Sequence, residues 1–103
     1  MFIQVFAERR QAEVHEVDEL RSFSVAVAGE VNDVELGAAL EPLGRLESDH
    51  AWISIERLRA ACHRTGDDQW SADFDAMVAY AGSRGWVDQS GTELRAHVDR
   101  AAG

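Results

Sequence analysis

The sequence contains no lysine, a single cysteine and no long apolar run. With Cys62 alone, no disulfide can form within the chain, and nothing in the composition indicates an oxidising compartment. No stretch approaches the roughly 20 apolar residues that cross a bilayer, and the start, MFIQVFAERR, lacks the positive region and cleavage site of a signal peptide. We therefore expect a cytoplasmic protein that does not bind membranes.

Negative charge dominates what is present, with a formal net charge of −9 over 103 residues. Four arginines accompany eleven acidic residues up to His50, whereas six accompany eight in the rest of the chain. Such charge repels nucleic acid backbones and anionic membranes, so a basic patch is expected only in the second half. The length suits one hydrophobic core, which predicts a single domain over residues 1–103.

The first 29 residues show the alternation that is typical of strands. FIQVFAE and RSFSVAVAG both alternate between two faces with a period of two. Between them, AEVHEVDEL holds Val14 and Val17 among acidic residues, which predicts a weaker strand at a sheet edge, where charge discourages pairing with another chain. Residues 1–29 are therefore predicted to form a small antiparallel β-meander.

From Asn32 onward the pattern becomes helical. Asn32 is expected to cap a first helix, with Glu35 reaching back to the cap, and Pro42 is expected to end it. Ser54 is expected to cap a second helix that ends before Gly66, although the β-branched residues around it are also compatible with a short strand. A third helix carries one apolar face, formed by Trp70, Phe74, Met77, Val78 and Ala81.

A hairpin is predicted after the third helix. Gly85 suits a left-handed helix end, and GWVD and TELRAHV are predicted to be two short strands joined by a turn at Gly91. The second strand has two distinct faces. We expect Leu94, Ala96 and Val98 to point inward and Glu93, Arg95 and His97 to point outward. Residues 101–103 are predicted to be a short tail.

This order of elements resembles the winged helix-turn-helix superfamily over about residues 32–98. SIERLRAAC takes the place of the second helix, QWSADFDAMVAYAGSRG that of the recognition helix and GWVDQSGTELRAHV that of the wing. The resemblance rests on element order and turn chemistry. It implies an α+β fold, in which the meander precedes a winged-helix-like unit at residues 30–100. This unit consists of three helices followed by a C-terminal β-hairpin. It also implies either duplex DNA binding or a protein-interaction role.

The outward face of the third helix argues against DNA recognition. It offers no arginine, lysine, asparagine or glutamine to a base edge, and Asp75 would approach phosphates. Four of its other residues form a ridge of small side chains: Ala72, Ala76, Ala79 and Ser83. Such a ridge lets another backbone approach closely, so we expect the amino-terminal sheet or a partner chain to cover it. Alanine is equally typical of an exposed helix surface.

No pattern of catalytic or metal-binding residues is present. Cys62 and His63 are adjacent, so on a helix they point about 100° apart and cannot chelate together. SDH at 48–50 gathers the residue types of a hydrolytic triad, but a triad is assembled by geometry, and Ser48 and Asp49 are expected to cap or turn the chain between two helices. We expect no enzymatic activity, no metal and no cofactor.

The sequence therefore predicts a non-enzymatic protein-interaction or regulatory module that binds a protein partner or a second copy of itself. Two alternatives stay open. The first is a winged-helix DNA-binding transcriptional regulator, whose contacts to nucleic acid would come from Arg57, Arg59, Arg64 and Arg95. The second is a small-molecule-sensing domain with a pocket between the sheet and the helices.

Overall fold

The computed structural model describes residues 1–6, 9–29 and 32–100, which form six strands and three helices. In chain order these are β1 (Phe2–Phe6), β2 (Gln11–His15), β3 (Ser24–Ala28), α1 (Asp33–Leu40), β4 (Gly44–Glu47), β5 (His50–Ser54), α2 (Ile55–Ala61), α3 (Asp68–Ser83) and β6 (Glu93–Asp99). The α+β class is confirmed. The end of the first predicted strand at 7–8 and the predicted tail at 101–103 lie outside the described residues.

All six strands belong to one mixed sheet in the order β2-β1-β3-β6-β5-β4. β6, the last strand in the chain, pairs in parallel with β3 on one side and antiparallel with β5 on the other. The strands at the two ends of the sequence therefore share one sheet. β2 lies at an edge, as its acidic pattern predicts.

The antiparallel meander predicted for residues 1–29 is wrong. β1 and β2 form an antiparallel hairpin, but β3 pairs with β1 in parallel, with Phe2 opposite Ser24. The segment 16–23, here called the β2–β3 connection, carries the chain across to the far side of β1. Its Val17 and Leu20 side chains pack against the core and hold this crossing in place. Periodicity identifies the face of a side chain but not the direction of the neighbouring strand.

Alternation along the strands places the core on one face of the sheet. The buried strand residues are Ile3, Val5, Val25, Val27, Ala51, Ile53, Leu94, Ala96 and Val98, which confirms the inward set expected for the last strand. α1 contacts β4 near one edge and both β1 and β2 near the other, so the sheet curves around this helix. Trp70, Phe74 and Ala81 of α3 are buried in the same core.

The predicted starts of α1 and α2 are confirmed. The backbone N–H of Glu35 donates to Asn32 Oδ1 at 2.8 Å, and Asn32 Nδ2 donates to Glu35 Oε1 at 3.1 Å. Ser54 Oγ accepts from the backbone N–H of Arg57 at 3.2 Å. Ser54 is also the last residue of β5, so the β-branched stretch before α2 is a strand. No helix among the described residues combines the length and apolar character needed to cross a bilayer.

A two-residue turn at Ser48 and Asp49 joins β4 to β5, with Glu47 paired to His50. A turn is therefore present at these residues, but it joins two strands and not the two helices expected there. β4 itself is not predicted from the sequence, because GRLE is too short to show a periodicity.

The end of α3 has the expected geometry, but the following hairpin is less regular than predicted. Gly85 has a φ of +80°, and its N–H donates to Gly82 O at 3.1 Å while the Trp86 N–H donates to Ala81 O at 2.9 Å, which is a Schellman motif. In GWVD, the first strand of the predicted hairpin, only Val87 forms a β-bridge, and its partner is Leu94. β6 lies inside the sheet because β3 and β5 both pair with it.

Candidate binding cleft

The sheet splits beside the first half of β6. β3 pairs with β6 only from His97 onward, whereas nearer the start of β6 the Arg95 N–H donates to Trp86 O at 2.7 Å. The split lies between β3 and Trp86. At this place the β2–β3 connection and α3 enclose a cleft of about 610 Å³. The cleft is therefore built from three segments that are distant in sequence.

Apolar and aromatic side chains line much of this cleft. They are Leu20, Phe23, Ala76, Met77, Tyr80, Ala81, Trp86 and Leu94. The Tyr80 and Trp86 rings meet edge to face, with their centroids 6.1 Å apart. Tyr80 is 58% exposed, so an aromatic ring is directly accessible to a ligand.

The β2–β3 connection is anchored to its surroundings at several points. The Trp70 indole Nε1 of α3 donates to Val17 O at 2.8 Å. The Met1 amino group donates to the carbonyl oxygens of Glu19 and Ser22, the latter at 3.1 Å. These contacts fix the wall of the cleft that faces α3, so the cleft exists before any ligand binds.

Three acidic side chains line the cleft, and each has a donor within the chain. Asp18 accepts from Arg64 at 3.0 Å, and Asp73 accepts from Gln69 Nε2 at 3.0 Å. Glu19 Oε1 accepts from the backbone N–H of Arg21 at 3.0 Å, and this hydrogen bond, together with the Arg21 charge, lowers the pKa of Glu19. Glu19 therefore remains ionised at neutral pH.

Arg95 also lines the cleft, but unlike the three acidic residues it has no side-chain partner among the described residues. Its side chain is half-buried, on the face of β6 opposite the core and in register with Trp52 of β5. Within the described part of the chain, its guanidinium has no hydrogen bond, ion pair or ring contact. A cationic residue without a side-chain partner among the described residues therefore lies across from Trp86, to whose carbonyl oxygen its backbone N–H donates.

The ridge of small residues on α3 is exposed along its whole length, at Ala72, Ala76, Ala79 and Ser83. The amino-terminal sheet does not cover it, so that half of the expectation is wrong. The reason is that the sheet packs against the opposite face of α3, through Trp70 and Phe74. Ala76 alone of the four lines the cleft, and coverage of the ridge by a partner chain stays a prediction.

Three of the four arginines of the DNA-binding alternative have partners within the chain. Arg59 forms an ion pair with Asp75 and lies over the Phe74 ring, 4.6 Å from its centroid. Arg64 pairs with Asp18, and Arg57 donates to Glu41 O at 3.4 Å. The carboxylates therefore neutralise much of the charge that would contact phosphates.

The thiol and imidazole groups among the described residues lie outside the cleft. Cys62 is buried with its Sγ 3.6 Å from Met1 Sδ, and burial raises the pKa of its thiol. His50 and His97 are direct cross-strand partners, a juxtaposition that the sequence does not reveal because it depends on strand register. The described residues contain no group of three His, Cys, Asp or Glu side chains suited to a metal ion.

Tyr80 and Phe23 are among the site residues that sequence reasoning missed. A usable signal existed for Tyr80, which is the one aromatic residue of α3 outside the apolar face that begins at Trp70. Comparisons with family models, curated proteins and solved structures find no match to this chain. The function is therefore argued from the geometry of the cleft.

Proposed function

We propose that this protein is a non-enzymatic sensing domain that binds an apolar small molecule in the cleft between α3, the β2–β3 connection and β6. The observation that carries the proposal is a cavity of about 610 Å³ with Phe23, Tyr80 and Trp86 in its wall. Ligand sites in proteins have volumes of about 300–1,000 Å³ and are lined mainly by apolar and aromatic side chains. The cleft satisfies both conditions.

The anchoring of the β2–β3 connection supports the same function. The hydrogen bond from Trp70 Nε1 to Val17 O and those from Met1 to Glu19 and Ser22 hold this wall in place. A ligand that enters a preformed cleft does not have to order a loop, so more of the interaction free energy appears as affinity.

The lining also supports binding rather than catalysis. It includes neither histidine nor cysteine, and its one serine, Ser22, has no side-chain hydrogen bond to a base among the described residues. A general base must lie within hydrogen-bond reach of the proton that it removes. Ser22 therefore lacks the arrangement of an activated nucleophile.

Fluorescence titration with N-phenyl-1-naphthylamine, a neutral apolar probe, tests the proposal. We expect saturable binding to the wild-type protein and loss of binding in Ala76→Arg, because the new side chain fills the cleft. Ala72→Arg is the matched control. Residue 72 is exposed on the same ridge but does not line the cleft, and its side chain leans toward the start of the helix, away from the cleft. The absence of saturable binding to wild type, or equal loss in both variants, would refute the proposal.

A second candidate function is binding of a protein partner, most simply a second copy of this chain, on the exposed surface of α3. The observation that favours it is Tyr80, an exposed aromatic residue beside the small residues Ala76 and Ala79. Aromatic anchors of this kind dominate the energetics of many interfaces. Sedimentation equilibrium should then show a dimer that Tyr80→Ala weakens and Val34→Ala, an exposed apolar control on α1, leaves unchanged. A monomer at all concentrations excludes the dimer.

We also propose that residues 32–98 are related to the winged-helix superfamily. Two pairings support this relationship. β5, which lies between α1 and α2, pairs antiparallel with β6, and Val87 bridges Leu94 of the same strand. The ion pairs of Arg59 and Arg64 make a role other than DNA binding the better match.

A further inference from the structure

The unpaired guanidinium of Arg95 indicates the chemical class of the ligand. We infer that the cleft binds an apolar monocarboxylate, with its apolar part against Tyr80 and Trp86 and its carboxylate on Arg95. This inference rests on the cleft being the binding site, as proposed above.

Arg95 is unusual among the arginines of this chain. Partners within the chain engage most of the others: Arg9, Arg21, Arg45, Arg57, Arg59, Arg64, Arg84 and Arg100. In a protein with a net charge of −9, an arginine that lines the cleft and has no acidic partner among the described residues is available to an external anion. Arg95 is half-buried as a residue, and a guanidinium that is partly withdrawn from water gains from such a partner.

A carboxylate is the anion that this geometry favours. The planar fork of N–H donors on arginine matches the two oxygens of a carboxylate, and such bidentate pairs are among the stronger hydrogen bonds in proteins. The charges around the cleft limit the ligand to one negative charge. Arg64 and Arg21 compensate Asp18 and Glu19, but Asp73 has only the neutral amide of Gln69. Asp73 would therefore repel a dianion more strongly than a monoanion.

Displacement of bound N-phenyl-1-naphthylamine by 4-phenylbutyrate and by its neutral amide tests the inference. We expect the carboxylate to displace the probe from wild type at concentrations about tenfold lower than the amide, since a charge-assisted hydrogen bond is stronger than a neutral one and solvent exposure reduces this gain. In Arg95→Gln the advantage of the carboxylate should disappear, while affinity for the neutral probe is retained.

Arg57→Gln is the control variant, because it removes the same charge outside the cleft. Arg57 does not line the cleft, and its guanidinium donates to Glu41 O, so its loss should change displacement by the carboxylate by about twofold or less. Equal effects of the two substitutions would show general electrostatics and overturn the assignment to Arg95. A melting temperature for each variant establishes that the fold is intact.

The remaining outcomes separate this inference from the function on which it rests. If wild type binds the neutral probe but releases it equally to carboxylate and amide, the carboxylate class is wrong and the cleft remains a binding site. If wild type does not bind the neutral probe, both fail. If Arg95→Gln loses the neutral probe as well, Arg95 supports the shape of the cleft and the inference is overturned.

Discussion

Asp88 shows how a single side chain organises the approach to β6. Its Oδ1 accepts from the backbone N–H groups of Thr92 at 2.9 Å and Glu93 at 3.0 Å, and its Oδ2 accepts from Ser90 Oγ at 2.7 Å. The hydrogen bond from Glu93, followed by that from Ser90, lowers the pKa of the Asp88 carboxyl. The sequence predicts a turn here from Gly91, which has a φ of +73°, but not the role of this carboxylate.

Substitution Asp88→Asn should lower the melting temperature at neutral pH, because the amide is a weaker acceptor for these three donors. A lowered pKa in the folded state stabilises the protein above the ordinary aspartate pKa, and this stabilisation is lost as the pH falls through the lowered value. The difference in melting temperature between wild type and variant should therefore shrink in acid. Gln89→Ala, in the same turn, is the control and should change little. A difference that is independent of pH would contradict this account.

At the scale of elements, local signals predict helix ends well and strand partners poorly. Asn32 and Ser54 cap their helices as expected because a cap depends on residues three positions apart. The parallel pairing of β3 with β1 depends instead on how the β2–β3 connection packs, which its sequence does not display. β4 is not predicted for a related reason. Its Gly44 packs closely against β5, a contact that depends on the partner strand and leaves no pattern in the sequence.

Substitution of Gly44 and of Gly37 by alanine should change the free energy of unfolding in opposite directions. A Cβ at Gly44 would lie 2.0 Å from Trp52 O and 2.8 Å from Ile53 Cα, so the β4–β5 pair must move, and we expect destabilisation by about 1–3 kcal/mol. A Cβ at Gly37, inside α1, meets nothing within 4 Å, so alanine should stabilise the protein by about 0.5–1 kcal/mol. Urea denaturation measures both. Destabilisation of similar size in the two variants would contradict the contact at Gly44.

At the scale of the whole molecule, one core holds together segments that the sequence separates. The inward faces of α3 and β6 can be predicted from periodicity, as Phe74 and Leu94 show. The cleft cannot be predicted in this way, because it exists only once the β2–β3 connection, α3 and Trp86 are brought together around the split beside β6. Its position follows from pairing register and long-range packing, which single-sequence patterns do not encode.

Substitutions at Phe74 and Tyr80 should have different effects on stability and on probe binding. Phe74 is fully buried and stacks on Trp70 with ring centroids 5.0 Å apart, so Phe74→Ala should reduce the free energy of unfolding by about 3–5 kcal/mol. Tyr80 is mostly exposed, so Tyr80→Ala should reduce it by about 1 kcal/mol or less while weakening probe binding. Urea denaturation and probe titration on the same samples measure both effects. Full probe affinity in Tyr80→Ala would remove Tyr80 from the binding site.

Placement of the ligand in the cleft is tested by a ¹⁵N–¹H NMR titration with the neutral probe N-phenyl-1-naphthylamine. We expect saturable shifts of the backbone amides of Ala76 and Tyr80 and of the Trp86 indole N–H, because these groups lie in the wall of the cleft. Phe2 and Phe6, on the outer face of β1, should not shift. Shifts confined to that outer face, or no saturable shift at all, would show that the cleft is not the binding site.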